Sequence, residues 1–401
     1  MKILHITESF SPTPETFTYN LIVGLDTRGC TNQVFTLDRV NEIERPYNRV
    51  YVVNPPKRLH PRRLYSRLKF RLGLINFQQF TYDLFFDNAR KQAYEVINEF
   101  KPDLVHSQFG PMRVMISPIT QKLNIPLIVS FHGYDVNRLS RSLRWKEHYR
   151  KLADNITALT STSLFLCDKL VQLGFSKTKL HQIYMGVDLS SFPYNDPQNY
   201  FDGKTIYCLH VGRLTQKKSP ILLVEAFVIA RGALLPEIDL RLTIAGDGEL
   251  SEALARKIED LQLTHVVKLL GAVNHDKVKK LFQETHIYTQ HCQTPPDGDV
   301  EGQGVTFVEA SASGLPILAT RHGGIPDVVI DGKTGYLSEE GDIKSMAENL
   351  IKLAQNPNLW TEFGLAGRQH VESNFTLEQQ LEKTLKLYKH VIEQNKMSDQ
   401  T

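Results

Sequence analysis

The stretch "TIYCLHVGRLTQKKSP", residues 205–220, carries the pattern that decides the fold. A short apolar run ends at Gly212, and basic residues follow it. An apolar run of this length, bounded by turn residues, indicates a strand that is buried on both faces of a parallel sheet. A strand followed by a helix indicates an α/β unit, whose strand-end loops are the usual ligand-binding positions.

The same alternation of apolar runs and helical patterns recurs in two series. The first series contains "KILHI", "QVFTL", "DLVHSQF" and "PLIVSFHG", and the second contains "TIYCLHVGRL", "LRLTIAGDG", "VVKLLGAV", "HIYTQHC" and "PILATRHGG". The polar stretch "FPYNDPQNYFDGK" separates them and indicates a domain boundary. We therefore expect an α/β protein of two Rossmann-like, doubly wound domains. The expected division is a first domain over 1–192, a linker over 193–204, a second domain over 205–375, a helix over 376–394 that crosses back to the first domain, and a disordered tail over 395–401.

Length and composition agree with this division. The 401 residues exceed the roughly 250 to 300 over which one hydrophobic core keeps growing. The sequence shows neither an apolar run long enough to cross a bilayer nor the apolar core of a signal peptide, which predicts a cytoplasmic protein. The four cysteines are far apart and lack CxxC spacing, so we expect reduced side chains rather than disulfides or a zinc site.

Charge is distributed unevenly although the net charge is only +3. The stretch "PPKRLHPRRLYSRLKFRLGLINF" lies in a region without acidic residues and interleaves cations with leucine and aromatic side chains. Such a segment can bind an anionic membrane surface or a diphosphate-linked lipid; a solvated helix face and a nucleic-acid surface are the alternatives. The cations of this basic patch are Lys57, Arg58, Arg62, Arg63, Arg67, Lys69 and Arg71.

Two loops of the second series have residues suited to phosphate. Arg213 and Lys218 follow one strand, and a guanidinium fork beside an ammonium group suits a diphosphate. Gly246 and Gly248, in "AGDGEL", open the next helical pattern, where backbone N–H groups bind phosphate oxygens. A solvated loop and a plain turn are the respective alternatives.

The stretch "EGQGVTFVEA", residues 301–310, places two carboxylates on either side of a glycine loop. Gly302 and Gly304 make an unbroken helix improbable, so we expect the helix to begin near Gly304 or Val305. Its first N–H groups would face a phosphate. Glu301 and Glu309 would then accept hydrogen bonds from hydroxyls at opposite ends of a nucleotide sugar; an ordinary loop acid at 301 and a solvent-facing helix residue at 309 are the alternatives.

These motifs together resemble retaining glycosyltransferases of family 4. "GRLTQKKSP", "AGDGEL", "EGQGVTFVEASASGLP" and "GGIPDVVIDGKTGYL" look like the C-terminal domain of that family, and "HSQFGP", "FHGYDV", "TSTSLFLCDKL" and "MGVDLSSF" fall where the N-terminal domain has comparable segments. The resemblance implies the GT-B fold, in which two Rossmann-like domains face each other across a cleft. "PETF", "HSQFGP", "FHGYDV" and "DGDVEG" look most like the exopolysaccharide subgroup typified by colanic acid glycosyltransferases.

The resemblance also implies roles for individual residues. Arg213 and Lys218 would bind the donor diphosphate, Glu309 the ribose hydroxyls, and Glu301 would lie by the transferred sugar. His132, at the end of a buried strand, would hydrogen-bond the donor sugar. Two further residues would contact the acceptor or support the site, namely Asp135 and, where many relatives have a Gly-Gly loop, Glu15.

The resemblance argues against a metal cofactor, because GT-B enzymes generally work without one. "DGD" at residues 297–299 resembles the metal-binding DxD of the GT-A class, but here we expect it to support the loop before Glu301. His286, His291 and Cys292 lack a matching cluster and are not expected to bind a metal.

The expected activity is transfer of a sugar from a nucleoside diphosphate donor, of the UDP or GDP type, to a hydroxyl of a lipid-linked oligosaccharide, with retention of configuration. The protein would be cytoplasmic and associated with the inner face of the plasma membrane. Two alternatives share the donor site: a nucleotide-sugar epimerase of GT-B fold and a non-catalytic nucleotide-sugar or glycan binding protein.

Overall fold

The computed structural model describes residues 1–12, 16–54, 61–74, 77–234 and 236–398. Within these residues the first domain has a seven-stranded parallel sheet, and the order across it is β3-β2-β1-β4-β5-β6-β7. Its strands are β1 (Lys2–Phe10), β2 (Thr31–Arg39), β3 (Val50–Val52), β4 (Leu104–Gln108), β5 (Leu127–Phe131), β6 (Ala158–Ser161) and β7 (Leu180–Gln182). Its helices are α1 (Thr16–Asp26), α2 (Pro61–Arg71), α3 (Phe77–Phe100), α4 (Gly110–Lys122), α5 (Tyr134–Asn137), α6 (Leu143–Leu152) and α7 (Leu164–Gln172).

The second domain repeats the plan with a six-stranded parallel sheet among the described residues, in the order β10-β9-β8-β11-β12-β13. Its strands are β8 (Thr205–Val211), β9 (Asp239–Ala245), β10 (Val267–Leu269), β11 (Ile287–Gln290), β12 (Ile317–Thr320) and β13 (Gly335–Ser338). Its helices are α8 (Pro220–Leu234), α9 (Ser251–Asp260), α10 (His275–Gln283), α11 (Val305–Ala312), α12 (Ile325–Val328), α13 (Ile343–Gln355) and α14 (Asn358–Asn374). The predicted architecture of two doubly wound domains is confirmed.

The two sheets place their strand ends so that ligands can bind between the domains. The strand order reverses between β1 and β4 in the first sheet and between β8 and β11 in the second. Open α/β sheets bind ligands outside the carboxyl ends of the strands at such a point. Gln108 ends β4 and Gln290 ends β11, so both glutamines lie at these positions.

The last helix, α15 (Leu377–Ser398), returns to the first domain. Its apolar side chains, including Leu381, Tyr388 and Val391, pack with Ile3 and Leu21 in one buried cluster. The helix continues past the expected end at 394, so the expectation of a disordered tail from 395 was wrong for residues 395–398. Packing on the first domain continues there, because the Asn395 side chain donates a hydrogen bond to the carbonyl oxygen of residue 124 at 3.2 Å.

The expected linker, 193–204, is docked on the second domain. Tyr200 donates a hydrogen bond to the Thr285 carbonyl oxygen, and the ring of Phe201 packs on Trp360 at 5.0 Å. The chain instead crosses between domains at Val187 and Thr376, which pair as an isolated β-bridge. Residues 193–204 therefore pack with the second domain.

Candidate functional site

The candidate site forms where loops from the second sheet meet the end of the first. Lys218 Nζ lies 2.7 Å from Glu301 Oε2 and donates a hydrogen bond to Gln290 Oε1 at 2.8 Å. Arg213 is exposed nearby on the same loop after β8, and within the described residues its guanidinium has no ion pair. The structure thus brings together Lys218 and Glu301, two residues that the sequence separates by more than eighty positions.

Charge in this cluster is tightly balanced. Burial alone raises the pKa of the Glu301 carboxyl, but the positive charges of Lys218 and Lys217 outweigh burial and hold that pKa far below its usual range. Burial lowers the pKa of the Lys218 ammonium, and the Glu301 carboxylate outweighs this effect, so the net change is upward. Both groups are therefore charged at neutral pH, as a largely buried ion pair.

Lys217 and Asp299 are members of the cluster that the sequence pattern did not single out as a pair. Lys217 Nζ lies 3.0 Å from Asp299 Oδ2 and 3.9 Å from Glu301 Oε2, and these side chains are only 10–15% exposed. Asp297, the other carboxylate of the "DGD" stretch, pairs with Arg138 of the first domain at 3.0 Å. The stretch therefore joins cations of both domains on the loop before Glu301, which is the supporting position expected for it.

The glycine loop after Glu301 is packed against the first domain. A Cβ atom on Gly302 would lie 2.0 Å from the carbonyl oxygen of His132, so no side chain fits there. The Gln303 side chain accepts a hydrogen bond from the backbone N–H of Met185 at 2.7 Å and donates one to its carbonyl oxygen at 2.9 Å. Contacts with both domains therefore fix this loop.

A buried histidine holds the backbone of Glu301. The Glu301 N–H donates to His322 Nε2 at 3.0 Å, and His322 Nδ1 lies 2.6 Å from Glu340 Oε1. Burial lowers the pKa of His322, so the ring is neutral and its one proton is on Nδ1, directed at Glu340. Sequence reasoning missed both residues because neither belongs to the glutamate motif.

Helix α11 begins at Val305 with Gly304 as its N-cap, as predicted. Glu309 lies in its second turn, is nearly buried, and contacts His275 Nε2 through Oε1 at 3.1 Å. The predicted role of Glu309 in holding ribose hydroxyls therefore places His275, at the start of α10, beside the same ligand groups.

Close packing of the backbone explains why residues 246 and 248 are glycines, which the sequence did not reveal. Gly246 has φ +151°, and a Cβ atom on it would lie 1.8 Å from the Gly212 carbonyl oxygen. A Cβ atom on Gly248 would lie 2.6 Å from the carbonyl oxygen of Leu214. Helix α9 starts only at Ser251, so these glycines do not form its N-terminus as expected; they let the loops after β8 and β9 touch.

His132 lies at the end of β5 between two aromatic rings, with centroids 4.7 Å from Phe17 and 4.6 Å from Phe109. Its Nε2 lies 3.1 Å from Gln108 Oε1, and burial lowers its pKa to about 3. Asp135 is fully buried behind this turn.

The Asp135 carboxylate accepts hydrogen bonds from the backbone N–H groups of Gly110, His132, Gly133 and Val136, at 2.9–3.1 Å. Burial raises its pKa to about 6. Of its two predicted positions, contact with the acceptor or support of the site, this geometry corresponds to support.

Other predicted residues lie away from the cluster or outside the described residues. Glu15, Lys57 and Arg58 are outside them, and the side chains of Arg62 and Arg63 are not described. The remaining cations of the basic patch, Arg67, Lys69 and Arg71, are on α2, where Arg67 and Arg71 are exposed. None of the helices in the described part of the chain is long and apolar enough to cross a membrane.

The residues weighed as metal ligands do not converge. The described residues contain no group of three His, Cys, Asp or Glu side chains able to hold a metal ion. His286 Nδ1 accepts from the Tyr207 N–H, and His291 Nε2 accepts from the Gly341 N–H. Burial raises the pKa of the Cys292 thiol to about 12, so that thiol is protonated at neutral pH.

Comparison with known sequences and structures matches both domains. Residues 14–191 match the family model described as Glycosyltransferase Family 4, and residues 192–370 match Glycosyl transferases group 1. The amylovoran biosynthesis glycosyltransferase AmsK of Erwinia amylovora is 31% identical over 250 residues, which cover 62% of this chain and 60% of AmsK. WcaL of Escherichia coli K12, provisionally named a colanic acid biosynthesis glycosyltransferase, is 27% identical over 65% of this chain and 64% of its own length. The chain thus aligns with about three fifths of each of these relatives.

Among solved structures, Alr3699/HepE of Anabaena in complex with UDP-glucose aligns with a TM-score of 0.75. The alignment covers 97% of this chain and all of that chain, with 17% sequence identity. At this identity the likeness concerns the fold, which is the two-domain arrangement described above.

Proposed function

Since this chain belongs to family 4 of the glycosyltransferases, we propose that it transfers a sugar from a nucleoside diphosphate sugar to a hydroxyl of an oligosaccharide acceptor, with retention of anomeric configuration. The observation that carries the proposal is the Lys218–Glu301 pair beside the exposed Arg213, at the strand ends that face the first domain. Exopolysaccharide or other cell-surface polysaccharide synthesis is the proposed setting, and the relative AmsK is named for amylovoran biosynthesis.

The donor is the better supported substrate. Arg213 offers a planar fork and Lys218 a point charge, which together match two linked phosphates. The structural neighbour HepE was solved with UDP-glucose, which supports a donor of this class. Lys218 already contacts Glu301, so a bound diphosphate would share this lysine with the carboxylate or draw it away.

The proposed chemistry breaks the bond between the anomeric carbon and the diphosphate oxygen and forms a bond from that carbon to the acceptor oxygen on the same face. Negative charge develops on the departing diphosphate, and Arg213 and Lys218 stabilise it electrostatically. The acceptor proton passes to the departing phosphate oxygen, so no protein base is required. Glu301 forms an ion pair with Lys218 and would contact the transferred sugar.

The donor site can be tested by thermal unfolding with UDP, GDP, ADP and their sugars. A ligand that binds only the folded protein stabilises it by about 2.7 kcal/mol at a hundredfold excess over its dissociation constant. We expect the nucleotides of one base, and not those of the other two, to raise the unfolding temperature of the wild-type protein. The same nucleotides should not raise that of Arg213→Ala. Arg256→Ala, an exposed arginine on α9, is the matched control and should respond like wild type. An equal response of Arg213→Ala would refute the assigned site.

Product analysis separates this activity from the two alternatives. A glycosyltransferase releases nucleoside diphosphate in proportion to glycosylated acceptor. An epimerase would convert the nucleotide sugar to its epimer without acceptor, and a binding protein would leave it unchanged. Either of those results would overturn the proposed transfer while keeping the donor site.

We also propose that the lipid-linked acceptor is reached at a membrane surface through α2. Leu64 and Leu68 lie four residues apart on one face of α2, and Leu72 directly follows the helix; the three leucines are 49%, 55% and 63% exposed. Arg67 and Arg71 are exposed on the same segment. Exposed leucines beside cations are typical of a helix that lies in the interface of an anionic bilayer, where each cation contributes about 1 kcal/mol.

Sedimentation with vesicles tests this contact. Binding is expected to vesicles that contain phosphatidylglycerol and not to phosphatidylcholine alone, and to weaken in high salt. The double variant Leu68→Ser and Leu72→Ser should lose binding. Leu143→Ser, at an 82% exposed leucine on α6, should keep it. Equal binding of both variants would show that α2 is a solvated face.

A further inference from the structure

The hydrogen bonds around His132 define which of its ring nitrogens carries the proton. A carbonyl oxygen can only accept hydrogen bonds, so the 3.1 Å contact with Gln108 Oε1 requires a proton on His132 Nε2. His132 is neutral, because burial lowers its pKa to about 3, and its one ring proton is therefore the one on Nε2. The other nitrogen, Nδ1, then has a bare lone pair.

Contacts with His106 hold the Gln108 amide in this orientation. Its Nε2 lies 3.4 Å from His106 Nε2 and 3.5 Å from His106 Nδ1, so the amide hydrogens face His106 and the amide oxygen faces His132. His106 is fixed in turn, with Nε2 2.7 Å from Ser130 Oγ and Nδ1 next to the hydroxyl of Tyr388 on α15. Gln108, His106 and Ser130 are all buried.

The Nδ1 atom of His132 is buried and has no hydrogen-bond partner in the described part of the chain. A buried polar atom without a partner costs about 1–3 kcal/mol, a cost that a ligand supplying the partner would remove. A bare lone pair accepts a hydrogen bond from a hydroxyl and repels an unprotonated phosphate oxygen. The atom therefore suits a sugar hydroxyl rather than the diphosphate.

We propose that Gln108 is a positioning residue that fixes His132 in the tautomer with a bare Nδ1, so that this nitrogen accepts a hydrogen bond from a hydroxyl of the transferred sugar. The inference rests on the proposed function, because the hydroxyl belongs to the donor sugar. Gln108 acts through His132 and touches no substrate itself. Its place at the end of β4, where the strand order of the first sheet reverses, brings it behind the cleft.

Nitrogen-15 NMR of protein with labelled histidine tests the tautomer without any substrate. Protonated and bare ring nitrogens have well-separated shifts, and the His132 signals are identified by their loss in His132→Asn. We expect a protonated Nε2 and a bare Nδ1 in wild type, and a mixture of tautomers in Gln108→Met. A protonated Nδ1 in wild type would overturn the proposal whatever reaction the enzyme catalyses.

Kinetics then separates positioning from stability. In Gln108→Met, kcat/KM for the nucleotide sugar should fall about 10- to 100-fold, the range for loss of an orienting partner in metal sites. The dissociation constant of the free nucleoside diphosphate, which lacks the sugar, should stay unchanged. Thr120→Val removes a buried hydrogen bond elsewhere in the first domain, from the Thr120 hydroxyl to the Ser117 carbonyl oxygen, and should leave both values near wild type. Equal losses in both variants would show a structural role only.

The isosteric change Gln108→Glu gives a pH-dependent signature. A carboxylate still accepts from Nε2–H but raises the pKa of His132 from its low value. The other titratable groups nearby are His106 and Asp135, whose carboxylate accepts from the His132 backbone N–H. Protonation then removes the Nδ1 lone pair, so activity should fall with decreasing pH in this variant and not in wild type. A pH profile identical to that of wild type would contradict the proposal.

Discussion

Replacing Lys218 by alanine should destabilise the second domain, because it leaves the Glu301 carboxylate buried with a weaker partner. Removing one member of a buried ion pair typically costs about 3–5 kcal/mol. Glu301 is 15% exposed, and Lys217 remains at 3.9 Å, so the lower end, about 3 kcal/mol, applies here. In a domain of this size about 1 kcal/mol shifts Tm by roughly 2–4 °C, which predicts a fall of about 6–12 °C.

The assay is calorimetry of wild type and three variants. Lys257→Ala is the matched control, because Lys257 pairs with Glu225 at 2.6 Å with both side chains about one third exposed, and such pairs contribute about 0–1 kcal/mol. The double variant Lys218→Met and Glu301→Gln removes both charges and should recover most of the loss. Equal Tm values of Lys218→Ala and Lys257→Ala, or a double variant no more stable than Lys218→Ala, would show that the unpaired Glu301 charge does not destabilise the domain.

The pH dependence supplies a second check on the same pair. The folded-state pKa of Glu301 lies below its ordinary value of 4.5, so the pair stabilises the fold above that pH. The contribution is lost as pH falls from about 4.5 towards the lower folded-state pKa. The difference in Tm between wild type and Lys218→Ala should therefore shrink below about pH 4.5. A constant difference down to pH 3 would mean that Glu301 is not the group involved.

Two other substitutions test the loop. Gly302→Ala should abolish transfer, because its Cβ would lie 2.0 Å from the His132 carbonyl oxygen and push the domains apart. Small-angle X-ray scattering should then show a larger radius of gyration. The control is Gly232→Ala, whose Cβ meets nothing within 4 Å, and it should change neither transfer nor the radius of gyration. Asp299→Asn removes the partner of Lys217 at 3.0 Å, so the freed charge should tighten binding of UDP or GDP roughly tenfold by calorimetric titration. Unchanged affinity in Asp299→Asn would show that Lys217 does not reach the diphosphate.

The sequence predicts the fold because strands buried on both faces are continuous apolar runs. All nine strand segments identified from the sequence are strands in the structure. The four missed strands, β3, β6, β7 and β13, have three or four residues each; β10, β11 and β12 are as short but lie in the quoted runs "VVKLLGAV", "HIYTQHC" and "PILATRHGG". Helix α11 was placed correctly because two glycines before it rule out an earlier start.

The site was predicted less completely, because its geometry depends on contacts between loops. Lys218 and Glu301 have recognisable motifs, whereas His322 and Gln108 matter only through the groups that they contact. Gly246 is the opposite case. Its motif indicates a phosphate loop, but the contact with the Gly212 carbonyl oxygen already explains the glycine.

The glycine loop between the two glutamates explains why the site needs both domains. Glu301 is held by Lys218 of the second domain, while Gly302 lies against the His132 carbonyl oxygen of the first. Any side chain at 302 would separate the carboxylate from the histidine, so glycine is required here by close approach rather than by a phosphate. The contact between Gly302 and the His132 carbonyl oxygen therefore sets how Glu301 lies relative to His132, and a substitution that opens this contact should lower transfer without changing the affinity for UDP or GDP.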